Sequence, residues 1–375
     1  MTLTTASAAE TAAAMVLVGT AKGLFTLHSG DDRSTFEVSG PTFPGEEVYA
    51  TCIDTRSGTT RLFTGSVSNH WGPVLRRSDD LGTTWTEDEQ AALRFPERAD
   101  ASLARIWQLA PGPNDDPDVI YAGVEPAALF RSDDGGRNFA LVDGLWDHPH
   151  RPQWQPGGGG LCLHTVLVHP DDPQRLLIAI SAAGVYLSDD GGSSWRASNK
   201  GIVVGFVPEG EALEFGQCVH KVARDAEDPE RLYLQHHGGI YRSDDGGASW
   251  TAMTGIAGMD FGFPVVAHPS KPSTAYLLPL ESDGFRCTPD GKCIVWRTSD
   301  GGQTWEPLTT GLPQHDAYLT VLRDGFTTDG RDPAGLYFGT RTGEVFASTD
   351  DGDSWRLLAQ HLPPVLSVRA APIVV

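Results

Sequence analysis

The sequence predicts an all-β fold, a seven-bladed β-propeller with four-stranded antiparallel blades. The first observation is a pattern, Ser/Thr-x-Asp-x-Gly-x-x-Trp/Phe, that recurs along the whole chain. The second is its nearly constant period, because the aromatic residues lie at positions 36, 85, 139, 195, 250, 305 and 355. The third is a series of short apolar runs separated by turn residues. Repetition at this length is typical of propeller blades, which bury their apolar faces only against neighbouring blades.

The pattern is complete in six copies and altered in a seventh. The complete copies are Ser78–Trp85, Ser132–Phe139, Ser188–Trp195, Ser243–Trp250, Thr298–Trp305 and Ser348–Trp355. The altered copy, Ser29–Phe36, carries Arg33 at the glycine position. The aspartate can accept hydrogen bonds from its own turn, and glycine allows a positive φ. A structural turn is favoured over a calcium site, because the bidentate glutamate of a calcium-binding loop is missing.

Each repeat is predicted to contain four strands. A first apolar strand leads into a turn rich in Asp and Pro, and a second strand, a hairpin and a third strand follow. The repeated pattern then connects to a fourth strand that begins at its aromatic residue. In the fourth repeat the first three strands are predicted at Cys162–His169, Arg175–Ser181 and Val185–Ser188. Short runs with regularly spaced turns favour strands, and no long helix is predicted.

The first repeat lacks a first strand. Met15–Gly19, Gly23–Leu27 and Phe36–Ser39 fit its second, third and fourth strands, and Leu366–Pro372 fits the missing one. The two ends of the chain are therefore predicted to complete one blade, which leaves no open sheet edge. Residues 1–14 are predicted to be a disordered leader, and residues 15–375 a single propeller domain.

The composition argues against several kinds of partner. Lys and Arg number 28 against 49 Asp and Glu, and the formal net charge of −21 disfavours nucleic acid and anionic membranes. An anionic ligand would need a locally basic cleft. No apolar run approaches the roughly 18 residues that span a bilayer. The N-terminus also lacks the basic start of a signal peptide, so a cytoplasmic location is predicted.

Five cysteines are an odd number for a disulfide framework. Cys52, Cys162 and Cys218 lie in apolar segments and are predicted to be buried thiols. Cys287 and Cys293 could bridge a hairpin, but free thiols are favoured in a reducing compartment.

The recurring pattern resembles the Asp-box, or BNR, repeat of the sialidase-like superfamily of propellers. It is also similar to bacterial propellers related to the photosystem II assembly factor. The resemblance extends over about residues 15–375, and it implies that the boxes lie opposite an active site at the other mouth of the central channel. It does not determine the activity, because one fold hosts many functions. The sequence lacks the N-terminal Arg-Ile-Pro motif of sialidases, and no arginine can be matched to their carboxylate-binding triad.

The face opposite the boxes is formed by connections from fourth to first strands and by hairpins between second and third strands. The longest connection runs from Leu145 into Gly157–Gly160. Long loops on a rigid scaffold commonly bind ligands. The glycine run has no following helix and no lysine for a phosphate loop, so it predicts either a flexible lid or a close-packed backbone.

Candidate site residues are the acids, histidines, arginines and tryptophans predicted on that face. The catalytic candidates are Glu125, Glu214, Asp260, Glu281, His164 and His220, and the substrate-binding candidates are Arg105, Trp71, Trp154, His236, His237 and Arg286. A glycosidase needs two carboxyl groups that flank one bond. The histidines could transfer protons, bind a metal or simply lie in the core. No metal ligand is assigned, because no close ligand spacing such as HExxH occurs, and no cofactor is identified.

Two functions follow as hypotheses. In the first, the protein is a sialidase-like or glycoside hydrolase-like propeller that binds a carbohydrate or another small polar ligand at the mouth opposite the boxes. The alternative is a non-catalytic propeller that serves as a scaffold for protein binding or assembly. Neither involves nucleic acid or a membrane.

Overall fold

The computed structural model describes residues 13–30, 32–87, 92–204, 213–256 and 261–373. Within these ranges, seven sheets of four antiparallel strands form the fold. The predicted all-β seven-bladed propeller is therefore confirmed. None of the helices in the described ranges is both long enough and apolar enough to span a bilayer.

Blade 1 combines strands from both ends of the chain. Its strands are β1 (Ala13–Thr20), β2 (Gly23–Ser29), β3 (Glu37–Thr42) and the closing strand β28 (Val365–Ile373). β28 pairs antiparallel with β1 from Ala13↔Ile373 to Thr20↔Val365, as predicted. β28 also contacts β4 (Glu47–Asp54) and β24 (Phe326–Thr328), the first strands of the two neighbouring blades. The closing strand therefore joins the ring on both sides.

The other blades follow the chain in order, each with its strands in the sequence first to fourth. Blade 2 contains β4, β5 (Arg61–Ser68), β6 (Gly72–Ser78) and β7 (Thr86–Glu87); blade 3 contains β8 (Arg105–Pro111), β9 (Ile120–Glu125), β10 (Ala128–Ser132) and β11 (Ala140–Leu141). Blade 4 contains β12 (Leu163–His169), β13 (Asp172–Ile180), β14 (Gly184–Ser188) and β15 (Arg196–Ala197); blade 5 contains β16 (Val219–Arg224), β17 (Leu232–His236), β18 (Gly239–Ser243) and β19 (Thr251–Ala252). Blade 6 contains β20 (Gly262–Ala267), β21 (Ala275–Pro279), β22 (Val295–Thr298) and β23 (Glu306–Leu308); blade 7 contains β24, β25 (Leu336–Gly339), β26 (Val345–Ser348) and β27 (Arg356–Ala359).

Helical structure is confined to short turns in the described residues. They are the helix α1 (Asp143–Trp146) and the 3-10 turns Glu97–Ala99, Arg151–Gln153 and Pro289–Gly291.

The apolar core lies between the blades. One cluster joins Tyr121 and Leu129 of blade 3 to Leu163 and Ile178 of blade 4. Because each blade buries its faces against its neighbours, we expect the stability of each blade to depend on the blades beside it.

The repeated turn is held together by its own polar groups, as expected. In blade 4, Asp190 Oδ1 accepts hydrogen bonds from Ser188 Oγ at 2.9 Å and from the Ser194 amide at 2.8 Å. Asp190 Oδ2 accepts a hydrogen bond from Ser194 Oγ at 2.6 Å, and the Gly192 amide donates to Ser188 Oγ. The same interactions recur around Asp80, Asp245 and Asp350.

The altered turn of blade 1 replaces glycine with a buried ion pair. Arg33 has a φ of 52° at the glycine position, and its Nη1 lies 3.0 Å from Asp329 Oδ2. Because Asp329 follows β24, this contact links blade 1 to blade 7.

Ser194→Ala is expected to lower stability at pH 7 and to converge with the wild type near pH 2. Hydrogen bonds from the Ser194 side chain and amide lower the pKa of Asp190 to about 2. A depressed carboxyl pKa stabilises the fold above the unfolded value near 3.9, and this contribution is lost as the pH falls towards 2. Urea unfolding between pH 7 and pH 2 measures the difference.

The matched control for this experiment is Ser193→Ala. Its hydroxyl donates to the Asp190 backbone carbonyl and not to the carboxylate. This variant should keep the wild-type dependence on pH. Parallel curves for Ser194→Ala and the wild type down to pH 2 would contradict the role of the Asp190 carboxylate.

All five cysteines are free, as favoured from the sequence. Cys52, Cys162 and Cys293 are buried, whereas Cys218 and Cys287 are partly exposed. The prediction that Cys218 is buried in a strand was wrong, because Cys218 lies just before β16 begins at Val219 and is partly exposed.

Candidate functional site

The first strands of the blades begin around one mouth of the central channel. A cavity of about 120 Å³ lies there, and we call it the mouth cavity. It is lined by Tyr49, Trp107, Gly159, Phe263, Arg286, Leu322, Arg323, Asp324 and Leu366. These residues belong to starts of first strands, to the connections before them and to one hairpin between second and third strands. The topology therefore places the mouth cavity on the face opposite the repeated turns.

Arg105 and Glu125 meet at the wall of this mouth, because β8 and β9 pair them directly. Arg105 Nη1 lies 3.2 Å from Glu125 Oε2, and the Trp107 indole donates to the same oxygen at 3.0 Å. The Arg105 guanidinium lies 4.2 Å from the centre of the Tyr49 ring, and its Nη2 lies 4.0 Å from Glu47 Oε2. Two of the predicted residues are thus brought together.

Two further arginines line the mouth cavity. Arg323 Nη1 donates to Cys162 Sγ at 3.0 Å, and its guanidinium lies 5.2 Å from the centre of the Trp107 ring. Arg286 lies 5.6 Å from the centre of the Phe263 ring, and its Nε donates to the backbone carbonyl of Asp283. Among the described residues, neither Arg286 nor Arg323 has a carboxylate within 4.0 Å. The mouth is therefore locally basic in a strongly acidic protein.

The glycine run Gly157–Gly160 packs closely against this site. Gly160 has a φ of +91°, and a Cβ at this position would lie 2.1 Å from Glu125 Oε1. Equivalent positions on Gly158 and Gly159 would lie 3.7 Å and 3.6 Å from the Nη2 atoms of Arg286 and Arg323. These distances support the close-packed backbone rather than the flexible lid.

A buried charge network forms the floor of the cavity. Lys221 Nζ lies 2.7 Å from Asp324 Oδ1 and donates to Gln108 Oε1 at 3.1 Å. Arg369 Nη2 lies 2.5 Å from the same Asp324 oxygen. Burial opposes ionisation of Asp324, but the attraction of Lys221 and Arg369 outweighs it and holds its pKa well below the usual range. Gln108 and Arg369 also line a cavity at the other end of the channel, so the network spans the channel between the two openings.

Two predicted histidines lie in the core instead of the site. His164 is fully buried, with Nε2 3.0 Å from the Val219 carbonyl and Nδ1 3.0 Å from Thr165 Oγ1. His236 is 3% exposed, and burial lowers its pKa to about 4. His164 therefore contacts the backbone of blade 5, whereas His236 packs within its own hairpin, where its Nδ1 accepts a hydrogen bond from the Gly238 amide and its ring lies 5.9 Å from that of Tyr241.

The other two predicted histidines lie close together. His220 Nδ1 lies 2.6 Å from the Gly262 carbonyl, and its Nε2 lies 3.7 Å from Cys218 Sγ. The His237 ring centre is 5.7 Å from that of His220. Burial lowers the pKa of His220 to about 3, so its imidazole is neutral at physiological pH.

The remaining candidates are dispersed. Trp154 is buried and donates to the Tyr186 hydroxyl at 2.8 Å, because the long loop folds back onto blade 4. Trp71 is 84% exposed in the connection between β5 and β6. Glu214 is exposed and lies 3.7 Å from His150, and Glu281 is exposed in the connection after β21. Asp260 lies outside the described residues.

Five residues of the mouth were missed in the sequence. They are Glu47, Tyr49, Trp107, Arg323 and Asp324, and each lies near the start of a first strand. The repeat period could have identified these residues, because equivalent positions near the start of each first strand must meet at the channel.

No family model matches the chain. Relatives with partial similarity are a xyloglucanase from Paenibacillus sp, 27% identical over 231 residues, and an oligoxyloglucan-reducing end-specific xyloglucanase from Emericella nidulans, 29% identical over 248 residues. The matches cover 60% and 56% of this chain. The chain spans only 18% and 29% of the length of these relatives.

Solved structures show the same architecture. The GH74 xyloglucanase from Xanthomonas campestris superposes with a TM-score of 0.61 at 17% identity, over 95% of this chain and 56% of that one. A putative 6-phosphogluconolactonase from Bacteroides uniformis gives 0.57 at 11% identity, over 96% and 99%. YCF48 bound to D1 peptide gives 0.50 at 14% identity, over 79% and 77%. These likenesses establish the fold.

Proposed function

We propose that this propeller binds an acidic carbohydrate at the mouth cavity. The observation that carries the proposal is the pair Arg286 and Arg323, which line an aromatic-walled cavity without a carboxylate partner among the described residues. Guanidinium groups bind carboxylates through two parallel hydrogen bonds, and the rings of Trp107 and Phe263 offer apolar surface.

The electrostatics of the chain support an anionic ligand at this place. A formal net charge of −21 repels anions in general, so a locally basic cleft is needed to bind one. The arginines of the mouth supply this local positive charge. The volume of about 120 Å³ is below the roughly 300 Å³ at which drug-sized sites begin, so one sugar unit or its acidic group fills the cavity.

The partial similarity to proteins named xyloglucanase supports a carbohydrate as the ligand class. The repeated turns support the proposal that the chain is an Asp-box propeller of the sialidase-like type. In that arrangement, Arg105, Arg286 and Arg323 would take the place of the unmatched arginine triad.

Arg323→Ala is expected to weaken binding of a sugar acid by about 10- to 150-fold. A charged hydrogen bond contributes about 1.5–3 kcal/mol, which corresponds to that range. Isothermal titration with glucuronate, galacturonate and N-acetylneuraminate measures the effect, and neutral xyloglucan oligosaccharides serve as the comparison ligands.

The control variant is Arg137→Ala, which removes an exposed arginine from a repeated turn on the opposite face. It should leave affinity unchanged. Arg323→Lys keeps the charge but loses the planar fork, so it should bind with intermediate affinity. Tight binding of neutral oligosaccharides that Arg323→Ala leaves unchanged would refute the acidic ligand.

Hydrolysis is a second candidate activity, favoured by the two carboxylates around Arg105. Glu125 and Glu47 approach the two Nη atoms of one guanidinium at 3.2 Å and 4.0 Å. Both carboxylates thus lie around a single guanidinium, and glycosidases use two carboxyl groups about 5–10 Å apart. If the site is hydrolytic, Glu125→Gln should reduce turnover of nitrophenyl uronides at least about 10²-fold. Binding without turnover in the wild type would leave a pure binding function.

The scaffold alternative is supported by exposed aromatic residues on the same face. Trp71, Phe285 and Tyr318 are 84%, 48% and 54% exposed, and the last two rings lie 6.4 Å apart. Such residues are enriched at protein interfaces. A partner captured by wild-type protein but lost with Tyr318→Ala, while sugar-acid affinity stays the same, would favour this function.

A further inference from the structure

A thiol and two imidazoles converge beside the mouth cavity. The ligand atoms of Cys218, His220 and His237 all lie within 4.8 Å of one another. Cys218 and His220 lie two residues apart where β16 begins, and Cys218 Sγ is 3.7 Å from His220 Nε2. The His237 amide donates to the Cys218 carbonyl at 3.0 Å, and this backbone bond holds the next hairpin against the cysteine.

His220 is oriented as a ligand. Its Nδ1 lies 2.6 Å from the Gly262 carbonyl oxygen, which can only accept a hydrogen bond. Nδ1 therefore carries the proton, and the lone pair of Nε2 is directed towards the sulfur of Cys218, 3.7 Å away. A histidine that binds a metal is typically fixed in this way by a carbonyl or carboxylate on its other nitrogen. His164, at the equivalent position of blade 4, has partners on both nitrogens and offers no free lone pair.

His237 has an orienting partner as well. Its Nε2 lies 3.3 Å from Asp283 Oδ2, and both side chains are partly exposed, at 41% and 61%. A carboxylate beside a ligating imidazole increases its basicity and restricts its rotation. The exposed position also leaves His237 free to adjust by the small distance that a shared ion requires.

We propose that Cys218, His220 and His237 bind one Zn²⁺ ion. Zinc bonds of about 2.3 Å to sulfur and 2.0–2.1 Å to nitrogen in tetrahedral geometry place the two atoms about 3.6 Å apart. The observed 3.7 Å between Cys218 Sγ and His220 Nε2 matches that separation. Sulfur and imidazole ligands select zinc over Mg²⁺ or Ca²⁺, which require oxygen.

Three protein ligands leave a fourth position for water or a bound molecule. The site adjoins the mouth cavity through Phe263, whose ring centre lies 4.9 Å from that of His220 and 5.6 Å from the Arg286 guanidinium. Zinc binding does not depend on the proposed carbohydrate, because the ligand set is complete within blade 5 and its hairpin.

Cobalt substitution tests the site in the full chain. Protein treated with a chelator and a thiol-free reductant is titrated with Co²⁺, and then Zn²⁺ is added in competition. We expect one equivalent of Co²⁺ with a thiolate-to-cobalt charge-transfer band and tetrahedral visible bands. Zn²⁺ should displace it with a dissociation constant of about 1 μM or lower.

Cys218→Ser should abolish the charge-transfer band and weaken Zn²⁺ binding at least about 100-fold, and His237→Ala should weaken it at least about tenfold. Asp283→Asn should weaken it about tenfold as well, because Asp283 acts through His237. The matched controls are Cys287→Ser, another partly exposed cysteine, and His70→Ala, an exposed histidine in the connection between β5 and β6.

Weaker binding in both Cys218→Ser and His237→Ala, with unchanged binding in both controls, supports the site. His237 is partly exposed, so its variant is expected to fold even where the cysteine variant does not. Absence of binding in the wild type, or binding that keeps its wild-type affinity after either substitution, overturns the proposal. Binding at sites other than these residues would show as equal affinity in all variants, and it would overturn the proposal too.

Discussion

Deletion of the chain from Leu366 onward is expected to abolish the cooperative melting transition. The deletion removes most of β28 and with it Leu366, Val368 and Ile373, which are at most 3% exposed. Three such side chains contribute roughly 5–9 kcal/mol at about 1.5–3 kcal/mol each. That amount is comparable to the whole stability of a typical domain, about 5–15 kcal/mol. Differential scanning calorimetry measures the loss.

The deletion also exposes the edge of β1, which favours aggregation. A smaller change separates the loss of buried apolar contacts from aggregation through the exposed edge. Val368→Ala keeps the strand and should destabilise the fold by about 1–3 kcal/mol with a cooperative transition. Leu357→Ala, on the exposed outer strand of blade 7, should cost less than about 0.5 kcal/mol. A truncated protein that melts like the wild type would show that β28 does not close the ring.

Asp324→Asn is expected to destabilise the protein by about 3–5 kcal/mol. Asp324 is the shared partner of Lys221 and Arg369, and its side chain is 4% exposed. Removing one member of a buried ion cluster leaves the others charged and unpaired, and that is the main part of the cost. Urea unfolding at pH 7 provides the measurement.

The double variant Lys221→Met with Asp324→Asn tests whether the unpaired buried charges cause the destabilisation. Removing the cation together with the anion should recover part of the loss, since the unpaired ammonium is then gone. Asp353→Asn breaks the exposed ion pair with Arg297 and should cost less than about 1 kcal/mol. A loss of similar size for Asp353→Asn and Asp324→Asn would contradict the importance of burial.

The charge network also links stability to the mouth. Asp324 and Arg323 are adjacent in the chain and both line the mouth cavity. Lys221 holds this segment from blade 5, and Arg369 holds it from the closing strand. The position of the Arg323 guanidinium therefore depends on contacts between three blades.

Several features of the site could be predicted from the sequence. Arg105 and Glu125 were both selected, and the register of β8 and β9 brings them into contact. The histidines of the equivalent first strands were selected as well, but only His220 has a free ring nitrogen beside possible metal ligands. His164 carries the same sequence signature, but both of its ring nitrogens have hydrogen-bond partners. The difference arises from the neighbouring strands, which no pattern within one repeat describes.

The sequence by itself determined the number of blades, the order of strands and the closure by both ends. It could do so because a repeat with a fixed period records local turn chemistry, as in Ser188–Trp195, and local chemistry is specified by neighbours in the chain. Only the tertiary structure decided the composition of the mouth. Glu47, Trp107, Lys221 and Arg323 belong to four different blades or their connections, and they meet because the ring closes. Contacts of that kind depend on how far each strand reaches into the channel and which side chains its twist turns inward, and these are set by packing between blades.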